Sequence, residues 1–174
     1  MQAWRTGDLC NSGCAERKGL TLIYLPYGLL GLVLIAADIW AKYSVRTGMR
    51  VFESIPLLPD VFHLTYVQNN GAAFSLFAGR QPVLIGITSL MLLGVLFYVF
   101  WKKPRQPLLL VSLALILAGG VGNLIDRINF GYVVDFFDFR LINFAIFNTA
   151  DIWVVCGTIL LSVYLLFFDK QNEG

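Results

Sequence analysis

Four long apolar stretches constrain this chain more than anything else in it: residues 20–40, 82–101, 108–125 and 152–168. A bilayer core about 30 Å thick needs roughly 20 largely apolar residues per crossing helix, and each stretch comes close to that. Composition agrees. Hydrophobic residues make up 57% of the 174 and charged residues only 14%, far too little polar surface for a soluble domain of this size. Four spans and their connections use up the length, leaving room for one small extramembrane element. The expectation is therefore an all-α membrane protein with four transmembrane helices in a single domain over residues 20–168. The first stretch is longer than a cleavable leader's apolar region and runs into Asp38-Ile-Trp-Ala-Lys42 without a small-residue cleavage site, so it reads as a helix of the mature protein.

The connections differ in character. Residues 1–19 are polar and lack periodicity, which predicts a disordered tail, and residues 169–174 form a second short tail. Between the first and second spans, Phe62, Leu64 and Tyr66 alternate with His63, Thr65 and Val67 after Pro56 and Pro59. That is a strand period punctuated by turn residues, so a small β-element is expected within residues 45–80, resting at the membrane surface. Lys102-Lys103-Pro104-Arg105 makes a short basic hairpin between spans two and three. Gly28, Gly31, Gly86, Gly94 and Gly157 are placed where small residues let helices pack closely.

Orientation follows from the basic residues. With the N-terminus inside, Arg5, Arg17, Lys18, Lys102, Lys103, Arg105 and Lys170 are inside and Lys42, Arg46, Arg50, Arg80, Arg127 and Arg140 outside, seven against six of the 13. The density of three cations in one short loop decides the near tie. Both termini are expected to be cytoplasmic and the longer connections extracytoplasmic. A net charge of +2 is too small to suggest nucleic acid. Cys10, Cys14 and Cys156 have neither metal-site spacing nor a disulfide pattern.

Ionisable groups near a membrane are costly and need a reason. Here they gather at the outer ends of the spans: Asp38 and Lys42, then Asn69 and Asn70, then Asn123, Asp126 and Arg127, then Asp135, Asp138, Asn148 and Asp151. The inventory narrows the chemistry. His63 is the lone histidine and no His-Glu-x-x-His motif exists, which disfavours a metallopeptidase and a serine triad. Carboxylates remain. Two held close together share a proton, so one can activate water while the other polarises a carbonyl, without metal or cofactor. Four aspartates compete for the two places. Asp126 precedes Arg127 and could form an ion pair. Asp138 could be solvated in a loop. Asp151 follows Asn148 and Thr149, either of which could cap the fourth helix, and could itself serve only the helix dipole. Chemistry alone leaves the pair open.

At this point the motifs resemble a known family. Asp38-Ile-Trp-Ala-Lys42, Asn69-Asn-Gly-Ala-Ala-Phe-Ser75, Gly119-Gly-Val-Gly-Asn-Leu-Ile-Asp-Arg127, Gly131-Tyr-Val-Val-Asp-Phe136 and Phe147-Asn-Thr-Ala-Asp151 are similar, in order and position, to the motifs of the lipoprotein signal peptidases (signal peptidase II). The resemblance implies that Asp135 and Asp151 form a catalytic dyad. It implies supporting or substrate-binding roles for Asp38, Lys42, Asn69, Gly71, Asn123, Asp126, Arg127, Asn148 and Ala150. Family members cut prolipoproteins before a diacylglyceryl-modified cysteine at the outer face of the bacterial plasma membrane. They use no cofactor or metal, and a monomer is expected here. The rival reading is a small transporter or assembly factor, against which stand the apolar middles of spans two, three and four. A relative that has lost activity is disfavoured by the presence of both aspartates.

Overall fold

The structure, a computed structural model, describes residues 7–71, 79–142 and 144–168, and of residues 7–21 the backbone only. In chain order it contains α1 (Gly7–Gly48), β1 (Ser54–Leu58), β2 (Phe62–Asn69), α2 (Gln81–Lys102), α3 (Pro107–Phe130), β3 (Val133–Phe139), a 3-10 turn (Arg140–Ile142) and α4 (Thr149–Phe167). Among the described residues four helices are long and apolar enough to cross a membrane. Positions 1–6, 72–75 of the second motif and the tail 169–174 with Lys170 lie outside the described residues.

All four helices begin before the hydrophobic stretches that announced them, and all but α4 also run past their ends. Hydropathy reports the bilayer core, whereas a helix ends where its capping groups are satisfied. Thus α3 carries Asp126 and Arg127 inside its last turns and stops at Gly131, whose φ of 76° lets its N–H reach the Arg127 carbonyl at 3.1 Å. Pro82 and Pro107 sit at the starts of α2 and α3, where a missing N–H costs nothing. At the other end α1 begins at Gly7, so residues 7–19, expected as a disordered tail, continue the helix. Ala15, Glu16, Arg17 and Lys18 are good helix formers, and extending an existing helix is far easier than nucleating one.

α3 is the central helix, packed against α1, α2 and α4. Of its most apolar window 44% is buried, against 6%, 11% and 17% for α1, α2 and α4. The outer three turn residues such as Leu32, Trp40, Leu90, Phe97, Ile159 and Leu166 outwards, an arrangement that lipid satisfies and water does not. Close approach rests on glycines of α3 and α4. A Cβ on Gly119 would collide with the Ala150 carbonyl and Val154, and one on Gly157 would lie 2.8 Å from the Ser112 carbonyl. Of the five glycines expected to pack helices, only Gly157 does so. A Cβ on Gly28, Gly31, Gly86 or Gly94 would meet nothing within 4 Å.

The sheet is antiparallel with order β1-β2-β3. The expected element between the first two spans is present, but it gains β3 from the connection between α3 and α4. Val133–Phe139 has apolar residues on both sides of the strand, and so lacks the alternation that exposes a half-buried strand to sequence reading. The sheet docks on the end of α1 through Val45, Tyr66, Val134 and Phe136, with Ala41 and Met49 packed alongside. A bulge in β2 between Leu64 and Val67 lets Tyr66 join that cluster while neighbouring Thr65 binds Asp138.

Candidate active site

The site grows from one buried cation. Asp38 and Lys42 stand one turn apart on α1, so they share a face. The Lys42 ammonium lies 2.8 Å from Asp38 and 3.4 Å from Asp126 on α3, and donates to the Asn123 Oδ1 at 2.9 Å. All four side chains are buried. Such a charge is tolerable only with its partners in place. The other Asp38 oxygen accepts the Ala150 N–H at 2.9 Å and the Thr149 hydroxyl, while Asp126 accepts the Val134 N–H at 3.1 Å. One ion cluster therefore ties α1 to α3, to the first turn of α4 and to β3. Gly122 is required here, because a Cβ at that position would strike the Asp38 carboxylate.

Two asparagines carry this order to the candidate dyad. Asn123, its oxygen held by Lys42, donates its amide to the Asp151 Oδ1 at 2.8 Å. Asn148 donates to the same Asn123 oxygen at 3.1 Å and to the Asp135 Oδ1 at 2.6 Å. The other Asp135 oxygen accepts from Asn69 at 2.8 Å. Asp135 pairs with Val67 across the ladder, and Asn69 lies two residues on, hence on the same face. Asp151 also closes a capping box: its Oδ2 accepts the Asn148 N–H while Asn148 accepts the Asp151 N–H, both at 3.1 Å. Asn148 is the cap of α4, and the Thr149 hydroxyl goes to Asp38 instead. Asp151 holds two assignments at once, one oxygen to its helix and the other toward Asn123.

Asp135 is only 2% exposed. Burial above all, and then the nearby Asp151 charge, push its pKa up to about 7, against the opposing pull of the Asn69 and Asn148 amides and Lys42. The arrangement is that of a carboxyl pair able to hold one proton near neutral pH. Asp151 opens onto a largely apolar cavity of about 600 Å³ between α2, α3 and α4, whose polar end is formed with Asn123 and Arg127. Arg127 donates to the Gly71 carbonyl at 3.3 Å, and Gly71 donates its N–H at 2.9 Å to Asn69, the side chain that in turn donates to Asp135. Among the described residues no three His, Cys, Asp or Glu side chains gather as a metal set.

Asp138 lies apart. It stands in β3 rather than in a loop, accepting from Thr65 at 2.7 Å and pairing with Arg140 at 3.1 Å. Thr149 and Gly122 were missing from the sequence-based residue set. Both lie inside quoted motifs, but only the packing shows why each is needed. Cys156 is exposed and free.

The fold and site together define a multi-pass membrane protein with a buried aspartate, Asp135, linked through amides to a half-buried one, Asp151, at the head of an apolar cavity. Comparison with known proteins agrees: residues 30–167 match the family described as signal peptidase (SPase) II. The chain belongs to that family of peptidases. It is 46% identical to the lipoprotein signal peptidase of Moorella thermoacetica, covering 82% of this chain and 93% of that one. It is 48% identical to the lipoprotein signal peptidase of Halothermothrix orenii, covering 82% and 96%. A solved bacterial membrane enzyme, 30% identical, superimposes with a TM-score of 0.79 over 86% of this chain and 92% of its own.

Proposed function

We propose that this chain is an intramembrane aspartyl endopeptidase that removes signal peptides from prolipoproteins, cutting before a diacylglyceryl-modified cysteine. The observation that carries the reading is the amide bridge from Asp135 through Asn148 and Asn123 to Asp151 at the head of the apolar cavity. Asp135, with its raised affinity for a proton, hydrogen-bonds the scissile carbonyl oxygen and gives it that proton as the carbonyl carbon turns tetrahedral. Asp151 accepts a proton from water as the water oxygen attacks the carbonyl carbon. The tetrahedral intermediate collapses as Asp151 returns that proton to the leaving amine, and Asp135 recovers its own from the gem-diol. The two asparagines donate to the carboxylates and keep them aimed without neutralising either. Arg127 and Gly71 hold the substrate backbone beside the pair, while Asp38, Lys42, Asp126 and the Ala150 N–H fix the frame.

The enzyme works as a monomer in the bacterial plasma membrane, both termini cytoplasmic, with residues 20–168 as its one domain and the carboxyl pair near the outer face. The density of cations in the 102–105 loop supports that orientation. A substrate anchored by its own acyl chains meets the pair in one plane, which lowers the entropy cost of encounter.

The test is cleavage of a diacylglyceryl-modified proprotein by wild type, Asp135→Asn and Asp151→Asn, with a thermal melt of each as a folding control. Wild type is expected to release the signal peptide and both folded variants to fall at least about a thousandfold. An inert wild type, or a folded Asn variant within about tenfold of it, ends the aspartyl reading.

A further inference from the structure

A second cavity, about 750 Å³, lies on another side of α3, between α1, α2 and α3, and includes neither member of the carboxyl pair. Its floor contains Gly28, Gly31, Ala114 and Ala118. The space above both glycines is empty of protein, since a Cβ on either would meet nothing within 4 Å. Along α1 the lining runs from Tyr24 to Ile35 and along α3 from Leu110 to Val121. Eleven residues of helix rise about 16 Å, close to half of a ~30 Å hydrocarbon core. The groove is therefore one leaflet deep.

One end is charged. Lys103 is the only cation in the lining, and it belongs to the short connection with Lys102 and Arg105, all three exposed. Among the described residues no carboxylate pairs with any of them. Lys103 is held in the left-handed region at φ 47°, its N–H bonded to the Val99 carbonyl, and Tyr24 donates to the Pro104 carbonyl at 3.0 Å. The loop is thus fixed over the mouth of the groove. We propose that this groove binds a glycerophospholipid of net negative charge from the leaflet on the loop side, one acyl chain along the glycine floor and the phosphate at Lys103. The apolar length accounts for the chain, and the unpaired cations account for the charge of the headgroup.

The experiment uses the full chain, delipidated and mixed with equimolar phosphatidylglycerol and phosphatidylcholine of matched acyl chains, with retained lipid counted by native mass spectrometry. Wild type is expected to retain phosphatidylglycerol at least about fivefold over phosphatidylcholine, the preference one interfacial cation supplies. Lys103→Gln should lower that ratio several-fold. Gly31→Leu, whose Cβ meets nothing within 4 Å and whose side chain occupies the groove, should reduce retention of both lipids. Equal retention by wild type overturns the proposal. So does a Lys103→Gln protein with an unchanged preference, even if Gly31→Leu fails to fold. Displacement of the lipid by a diacylglyceryl-modified substrate peptide would assign the groove to substrate and overturn it equally.

Discussion

β3 carries two aspartates three residues apart, and the strand treats them in opposite ways. The pleat turns Asp135 and Asp138 to opposite faces. Asp135 meets two neutral amides and the charge of Asp151, is almost wholly buried, and holds its proton up to about 7. Asp138 meets a hydroxyl and a guanidinium whose side chain is 43% exposed. Same residue type, same strand, different chemistry. Amide donors leave the Asp135 carboxyl free to exchange a proton, whereas Asp138 is taken up by a hydroxyl and a cation on a half-exposed rim. A single residue inserted between them would bring both to the same face of the strand.

The sharpest way to break this contrast is to remove the proton site. Asp135→Asn should lower kcat/KM at least about a thousandfold with the melt little changed, measured on a lipidated proprotein. Lys42→Met comes next and acts through the frame. Leaving Asp38 and Asp126 buried without their cation should cost about 3–5 kcal/mol, read as a large fall in melting temperature in detergent micelles. Asn123→Ala removes a donor to Asp151 and the acceptor that Lys42 and Asn148 share. A hydrogen bond to a charged group contributes about 1.5–3 kcal/mol, so kcat should fall about 10- to 100-fold while KM moves little.

Acidity separates the two aspartates further. Activity should decline as pH rises through about 7, where Asp135 loses its proton, and an alkaline limb near the value of an ordinary carboxyl would contradict the assignment. Stability follows the same sign. The folded-state pKa of Asp135 is raised, so its contribution is fully present below the ordinary carboxyl range near 4 and is lost as pH rises through about 7. Melts between pH 5 and pH 8 should show wild type losing stability relative to Asp135→Asn. The smallest effect is expected at the other residue: Asp138→Asn should leave kcat/KM within about threefold and cost no more than about 1 kcal/mol, as for a rim ion pair.

Much of this was legible in the sequence, for stated reasons. Four spans follow from hydropathy because lipid admits few substitutes, and polar residues at span ends stand out against them. The cluster of Asp38, Lys42, Asn123 and Asp126 is visible in that way. What hydropathy hides is polar helix inside the ends of spans, so the limits of α3 and α4 were set too short. It also hides β3, whose five apolar residues fall on both sides of the strand. Glycines were the other weak point. Gly28 and Gly31 look like packing residues in the sequence, but a glycine marks close approach only when another element is there, as it is at Gly119, Gly122 and Gly157. Nothing in the sequence separates the two oxygens of Asp151, because their division of labour depends on where Asn123 arrives from.

The capping box of α4 has a consequence for biogenesis. On the proposed chemistry the water-activating carboxylate is also the group that starts the fourth helix, and its partner on β3 is aimed by that helix's cap residue, Asn148. A nascent chain that has inserted only three helices has Asp135 in hand but neither the second carboxylate nor the amide bridge. On that chemistry, proteolytic competence arrives only with the final helix.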